Sequence, residues 1–84
     1  MNYKSLAEYI YDGLRNAYLN PSNDNNKEAL KRLKIMVDNG KFNHNLLLEL
    51  SKYNIRPTWK NVYNGLNKTT YIGIVYRDKV FQLE

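Results

Sequence analysis

Apolar residues recur at helical spacing along the first half of the chain. Near the N-terminus a single stripe follows i, i+3, i+4 spacing and consists of Tyr3, Leu6, Ile10, Leu14 and Ala17. This spacing predicts an amphipathic helix over Tyr3–Leu19. The helix is expected to end at Asn20-Pro21, because a residue that precedes proline avoids the α region.

Two further apolar stripes predict a second and a third helix. Residues 27–39 form the second, with Leu30, Leu33, Met36 and Val37 inward and Lys31, Arg32 and Lys34 outward. The polar stretch before it is a loop or a turn that caps this helix, and Gly40 suits the position just past its end. Residues 43–53 form the third helix, which Asn43 can cap. Its expected buried face is Leu46, Leu47 and Leu50.

The C-terminal part predicts a fourth helix and a β-hairpin. Residues 54–58 interrupt the helical pattern, and residues 59–67 resume it with Val62 and Leu66 four positions apart. Residues 71–81 then alternate as a two-stranded ribbon does. If Arg77-Asp78 is a two-residue turn, one face of the hairpin holds Ile72, Ile74, Tyr76, Phe81 and Leu83.

Together these elements predict an α+β fold in a single small domain, residues 1–84. It has about four helices and a C-terminal β-hairpin in a winged helix-turn-helix-like arrangement. Residues 1–40 would be an N-terminal helical pair, and residues 41–84 a helix-turn-helix followed by a hairpin wing. In this arrangement residues 59–67 are the recognition helix.

Charge placement favours a nucleic-acid partner. The 84 residues have a formal net charge of +5 and a pI near 9.5. Residues 41–84 hold seven Lys and Arg against three Asp and Glu, and no acid lies between Glu49 and Asp78. Such a one-signed segment suits the neutralisation of phosphates.

Composition argues against catalysis and against a bound metal or cofactor. The chain has no cysteine, His44 is its single histidine, and its acids are dispersed. A nucleophilic triad or a zinc site therefore has few residues to draw on, and we expect no enzyme, no metal and no cofactor. No apolar run approaches the ~20 residues of a membrane span, and the N-terminus lacks a signal-peptide pattern. A cytoplasmic protein without a membrane partner is expected.

The candidate DNA-binding residues lie in the basic half of the chain. Lys52, Arg56, Lys60 and Lys68 are expected to contact phosphates, and Arg77 and Lys79 to lie at the wing tip beside the duplex. The outer face of the recognition helix would present Asn61, Tyr63, Asn64 and Asn67. Asparagine can pair with adenine in a bidentate manner. Duplex DNA is favoured, with stacking of single strands on Tyr63, Tyr71 and Tyr76 as the alternative.

A different class of function is suggested by the first helix. Tyr9 and Tyr11 cannot both face one core, so at least one of them is exposed, and tyrosine is enriched at protein interfaces. The alternative is therefore a protein-binding accessory or inhibitor module that uses the Tyr-rich first helix or the basic face, such as a phage-encoded inhibitor of a host protein, or a homodimer. The Asn, Lys, Tyr and Ile bias of the chain fits a phage or another mobile genetic element.

One segment resembles a known family. The pattern Val62-x-x-x-Leu66-x-x-x-x-Tyr71-Ile72-Gly73 is similar to the recombinase-domain segment of large serine recombinases, in which a helix runs into a Tyr-Ile-Gly strand. Upstream, residues 37–41 and 47–55 are similar to the preceding half of that helix-turn-helix. The resemblance covers residues 33–81. Because the catalytic domain with its serine nucleophile is absent, it implies DNA contact without strand cleavage.

Overall fold

The structure, a computed structural model, describes residues 2–83 and has an α+β fold. In chain order this part of the protein contains α1 (Tyr3–Leu19), α2 (Asn23–Asp38), α3 (His44–Ser51), β1 (Ile55–Asn64), β2 (Asn67–Tyr76) and β3 (Lys79–Gln82). The three strands form one antiparallel sheet in the order β1-β2-β3. α1 packs against both α2 and α3, while α3 lies against β1 and α2 against β3.

Local side-chain chemistry sets the ends of the helices. The Asn2 side chain accepts a hydrogen bond from the Ser5 amide at 2.8 Å and caps α1. Ser22 caps α2 in the same way, so α2 begins four residues before the predicted start. The predicted cap of α3 is confirmed, because the Asn43 side chain accepts from the Leu46 amide.

A Schellman motif ends α2. Gly40 has φ +68°, the Gly40 amide donates to the Val37 carbonyl, and the Lys41 amide donates to the Met36 carbonyl at 2.8 Å. The predicted role of Gly40 is therefore confirmed. The motif turns the chain sharply into α3, so that Leu46 and Leu50 reach the same core as α1 and α2.

One hydrophobic core joins the helices to the base of the sheet. The α1 stripe is buried from Leu6 to Ala17, as predicted, and it meets Leu33 and Met36 of α2. The sheet closes this core with Ile55, Ile74, Tyr76 and Phe81. The predicted Arg77-Asp78 turn is confirmed, since Tyr76 pairs with Lys79 and Ile74 with Phe81.

The predicted fourth helix is wrong. Residues 59–67 form the end of β1, a tight turn and the start of β2, so the third helix is followed by strands and the predicted recognition helix does not exist. The i, i+4 pair Val62 and Leu66 was the basis for that prediction. Two features favour the strands instead: β-branched and aromatic residues on both sides of the turn, and Gly65, whose φ of +63° a tight hairpin turn requires.

β1 and β2 are much longer than β3. Their ladder runs without a break from the Ile55–Tyr76 pair to the Asn64–Asn67 pair, whereas β3 pairs only with the last four residues of β2. Within the described chain the outer half of the hairpin is therefore a two-stranded ribbon with no third strand on either side. Across residues 2–83, no helix has both the length and the apolar character required to cross a membrane.

Candidate nucleic-acid interface

The outer half of the β1–β2 hairpin leaves the body of the protein. We call residues 59–72 the projecting ribbon. Residues 60–70 are all exposed, whereas Ile55 at the base of the hairpin and Ile74 opposite Pro57 are buried. Five steps separate the Trp59–Ile72 pair from the Asn64–Asn67 pair. At about 3.3 Å per step the ribbon is roughly 17 Å long.

The tip of the ribbon is a two-residue turn formed by Gly65 and Leu66. Asn64 pairs with Asn67 on either side of it, and Gly65 occupies the first central position with positive φ. That geometry is typical of a type II′ hairpin turn, for which glycine at this position is preferred. Leu66 is fully exposed, at 106%, among the described residues.

Each face of the ribbon holds one lysine opposite one tyrosine. Residues directly opposite each other in an antiparallel pair share a face. Lys60 pairs with Tyr71 on the face that points away from the helices, and Tyr63 pairs with Lys68 on the face that continues the core. Tyr63 and Lys68 lie one step from the Asn64–Asn67 pair at the tip, whereas Lys60 and Tyr71 lie one step from the Trp59–Ile72 pair at the base. A basic and an aromatic group are therefore available on both faces, at different distances from the tip.

The ribbon is polar between these pairs. The Thr70 hydroxyl donates to the Asn61 amide oxygen at 2.9 Å across the two strands. This bond orients the Asn61 side chain and leaves its NH₂ group as a donor. At the base of the inner face, the Trp59 ring lies edge-on to Phe42 with ring centroids 6.0 Å apart, which anchors the ribbon to the α2–α3 loop.

The charged side chains of the ribbon are all positive. No Asp or Glu occurs from residue 50 to residue 77, and in the part of the chain that the structure describes, Arg56, Lys60 and Lys68 form no ion pair. Arg56 and Lys60 lie on the same face of β1, about 13 Å apart along the strand. The positive potential of these side chains is therefore not cancelled by neighbouring acids.

Most of the candidate DNA-binding residues come together here. Seven of the ten candidates lie on the ribbon or at its base, namely Arg56, Lys60, Asn61, Tyr63, Asn64, Asn67 and Lys68. Lys52 does not join them, because it follows α3 and pairs with Glu49 at 3.0 Å. The seven residues were expected around a recognition helix, but in the structure they lie together on a two-stranded ribbon.

Arg77 and Lys79 lie at the opposite end of β2 from the ribbon tip. The Arg77 guanidinium stands over the Tyr18 ring at 4.9 Å and near the Tyr76 ring at 5.5 Å, and polar contact with Tyr76 and then Tyr18 raises the pKa of Arg77. Lys79 donates to the Asn26 amide oxygen at 2.7 Å. Both residues lie at the predicted Arg77-Asp78 turn of the β2–β3 hairpin, and their side chains tie this short hairpin to the helices. Their contact with DNA stays a prediction.

The two tyrosines of the alternative function differ in environment. Tyr9 is 37% exposed, and Arg32 lies over its ring at 4.5 Å while also donating to the Tyr9 carbonyl at 2.8 Å. Tyr11 is half-buried, stacked on Tyr53 with ring centroids 4.3 Å apart. The requirement that at least one of the pair be exposed is met by Tyr9.

Sequence reasoning missed the apolar residues of the ribbon. Val62 and Leu66, whose spacing predicted an inward face of the fourth helix, are both exposed, and Trp59 is 53% exposed. The available signal was Asn64-Gly65, since Asn-Gly between β-prone runs is a strong hairpin indicator, although the turn that forms is centred one residue later, on Gly65-Leu66.

Comparisons with known proteins identify no relative. The chain matches no protein-family model, no curated protein and no solved structure. The resemblance to large serine recombinases is therefore neither supported nor contradicted by them, although its Val62 and Leu66 positions lie on a strand and in a turn. Among residues 2–83, His, Asp and Glu side chains form no group of three or more that could hold a metal ion.

Proposed function

We propose that this chain is a small, non-catalytic DNA-binding protein that contacts duplex DNA with its projecting ribbon. The observation that carries the proposal is an exposed ribbon with a lysine and a tyrosine on each face and no acid within reach along its strands. Two-stranded ribbons enter DNA grooves in several protein classes. A groove also offers what this ribbon lacks in the free protein, namely contacts for both faces.

The parts of the ribbon divide by chemistry. Lys60, Lys68 and Arg56 neutralise phosphates, which provides affinity without sequence preference. The amides of Asn61, Asn64 and Asn67 can donate to and accept from base edges. Tyr63 and Tyr71 add flat apolar surface beside the cations.

The overall order of elements supports a winged-helix type of protein in which the wing makes the main contact. α2, the Gly40 turn and α3 precede the ribbon as a helix-turn-helix precedes its wing. α3 is short, presents Leu48 to solvent, and is followed by Lys52, which is paired with Glu49. We place the protein in the cytoplasm as a regulator or accessory factor of a phage or another mobile element, a setting that the composition and the recombinase resemblance favour.

Replacing both ribbon lysines tests the proposal. Lys60→Ala with Lys68→Ala should weaken binding on all duplex sequences and reduce the slope of log K against log salt by about 2, since each phosphate contact contributes about 0.9. Fluorescence anisotropy of labelled duplex and single-stranded DNA across a salt series measures both quantities. Duplex should bind more tightly than single strands.

The matched control removes the same charge from another surface. Lys27→Ala with Lys31→Ala acts on exposed lysines of α2 that form no ion pair in the described structure. This variant should keep the wild-type salt slope. Equal losses in the two double variants would show that only net charge matters, and unchanged binding by the ribbon variant would remove the ribbon from the interface.

A second candidate function is protein binding beside Tyr9, and an apolar groove favours it. The groove is open, has a volume of about 600 Å³, and lies between the start of α1 and the end of α2. Its lining consists of Leu6, Tyr9, Ile35, Met36, Asn39 and Lys41. Aromatic and Met side chains around such a groove are typical of interface centres.

Truncation of Tyr9 tests this second candidate. If the groove mediates self-association, Tyr9→Ala should lower the sedimentation-derived molecular mass to that of the 10.0 kDa chain, because hot-spot tyrosines contribute about 2 kcal/mol or more. Tyr63→Ala, at the 70% exposed tyrosine of the ribbon, is the matched control. A wild-type chain that is monomeric at all concentrations, or a Tyr9→Ala chain that still self-associates, contradicts a homodimer through this groove.

A further inference from the structure

We propose that Leu66 is a wedge that inserts between two base pairs of A·T-rich duplex DNA from the minor groove and kinks the duplex. The inference rests on the DNA binding proposed above. It adds the groove, the base composition and the deformation of the DNA.

The position of Leu66 is the first argument. An exposed leucine is ordinary by itself, and Leu19 and Leu48 are each 52% exposed. Leu66 differs because it is wholly exposed at the outermost point of a two-residue turn, which the Asn64–Asn67 pair closes. Such a turn holds the side chain at the leading end of the ribbon. Leucine is one of the residues that proteins insert between base steps.

The residues next to the tip supply the second argument. Asn64 and Asn67 stand on either side of Gly65-Leu66, so two amide groups reach a groove wherever Leu66 enters it. In the minor groove an A·T pair presents only acceptors, A N3 and T O2, whereas a G·C pair adds the N2 donor. Amide NH₂ groups can therefore bind the floor of an A·T-rich minor groove. The N2 amino group of a G·C pair protrudes from the groove floor and cannot accept a hydrogen bond from an amide NH₂ group.

The cations supply the third argument. Lys68 lies on one face of the ribbon, one step from the tip pair, and Lys60 lies on the other face, four steps from it. If the ribbon enters a groove with its tip leading, each of its two faces meets the phosphate backbone of one DNA strand. The lysine on each face can then bind a phosphate of the strand that this face meets.

Groove width links these contacts to a kink. The minor groove of B-DNA is about 6 Å wide, and a ribbon with side chains on both faces is about 10 Å thick. The ribbon enters only if the groove opens. Insertion of an apolar side chain unstacks a base step and bends the duplex by about 20–90° toward the major groove, which opens the minor groove on the side where the ribbon lies.

The test measures binding and bending on the same molecule. A duplex of about 20–30 base pairs with an A·T-rich centre is labelled at its two ends with a donor and an acceptor fluorophore. Anisotropy reports binding, and energy transfer reports the approach of the ends. Wild-type protein should raise both signals. Leu66→Ala should still raise anisotropy, but only at higher protein concentration because the groove is no longer opened, and it should leave energy transfer near the value of free DNA.

Two further variants complete the test. Leu66→Phe, another wedge residue, should restore bending, and Leu48→Ala, the same truncation at an exposed leucine of α3, should behave as wild type. Wild-type binding without a change in energy transfer overturns the wedge and leaves the proposed DNA binding intact, as does a Leu66→Ala chain that bends DNA fully. A G·C-rich duplex that is bound and bent equally well overturns the minor-groove assignment. Absence of wild-type binding overturns both proposals.

Discussion

Removing four residue pairs from the projecting ribbon should abolish binding to duplex DNA and leave the rest of the protein folded. The change deletes residues 60–63 and 68–71 and joins Trp59 to Asn64 and Asn67 to Ile72. Because four residues are removed from each strand, the alternation of faces is preserved. The Asn64–Asn67 turn then closes directly on the Trp59–Ile72 pair.

The expected loss of binding follows from what the deletion removes. Both lysines and both tyrosines of the ribbon are lost, while Gly65-Leu66 remains on a stub too short to reach a groove floor. Binding should fall by at least about 100-fold in moderate salt, since two phosphate contacts and the groove contacts are lost together.

The expected retention of the fold follows from burial. All the deleted residues except Tyr71 are exposed, and none belongs to the core cluster. Loss of exposed residues should change the free energy of unfolding by less than about 1 kcal/mol. Circular dichroism and urea unfolding check the fold, and anisotropy checks binding. A folded short-ribbon chain that binds DNA as tightly as wild type would place the interface elsewhere.

Replacing Leu33 by alanine should cause a large loss of stability. Leu33 lies on α2 and is fully buried within the cluster that joins α1 to α2. Large-to-small changes of this kind cost about 2–5 kcal/mol, because transfer energy is lost and a cavity remains. A domain of this size has a total stability of only about 5–15 kcal/mol. The unfolding temperature should therefore fall by roughly 10–30 °C.

The measurement is thermal and urea unfolding followed by circular dichroism, with Leu48→Ala as the control. Leu48 is 52% exposed on α3, so the same chemical change should cost well under 1 kcal/mol there. Unfolding curves of Leu33→Ala that superimpose on those of wild type would contradict the position of Leu33 in the core.

Sequence patterns predicted the helical half of the fold well, because burial imposes a period on it. α1 has the predicted bounds, and its stripe is the buried face. α2 and α3 exist where expected, and Gly40 and Asn43 play their predicted roles. The earlier start of α2 was missed, since Asn23 to Asn26 have low helix propensity; in the structure the Ser22 cap stabilises this first turn.

The ribbon could not be recognised from hydrophobic periodicity for a physical reason. A period of two arises when one face of a strand is buried and the other is solvated. Beyond Trp59 the ribbon buries neither face, so Val62 and Leu66 show an accidental helical spacing with nothing to oppose it. The positive segment between Glu49 and Asp78 was visible in the sequence, but only the strand register shows that Lys60 and Lys68 are on opposite faces.

In residues 2–83 no third strand lies along the outer half of the hairpin, and this has a consequence for how the protein behaves at high concentration. An open strand edge is a template for pairing with another chain, and lysines on the edge are one of the means by which proteins prevent such aggregation. Lys60 and Lys68 lie on the two strands with these edges. The side chains that we assign to phosphate binding therefore also keep unbound molecules apart. Natural selection would retain them for colloidal stability even where DNA contacts had been lost.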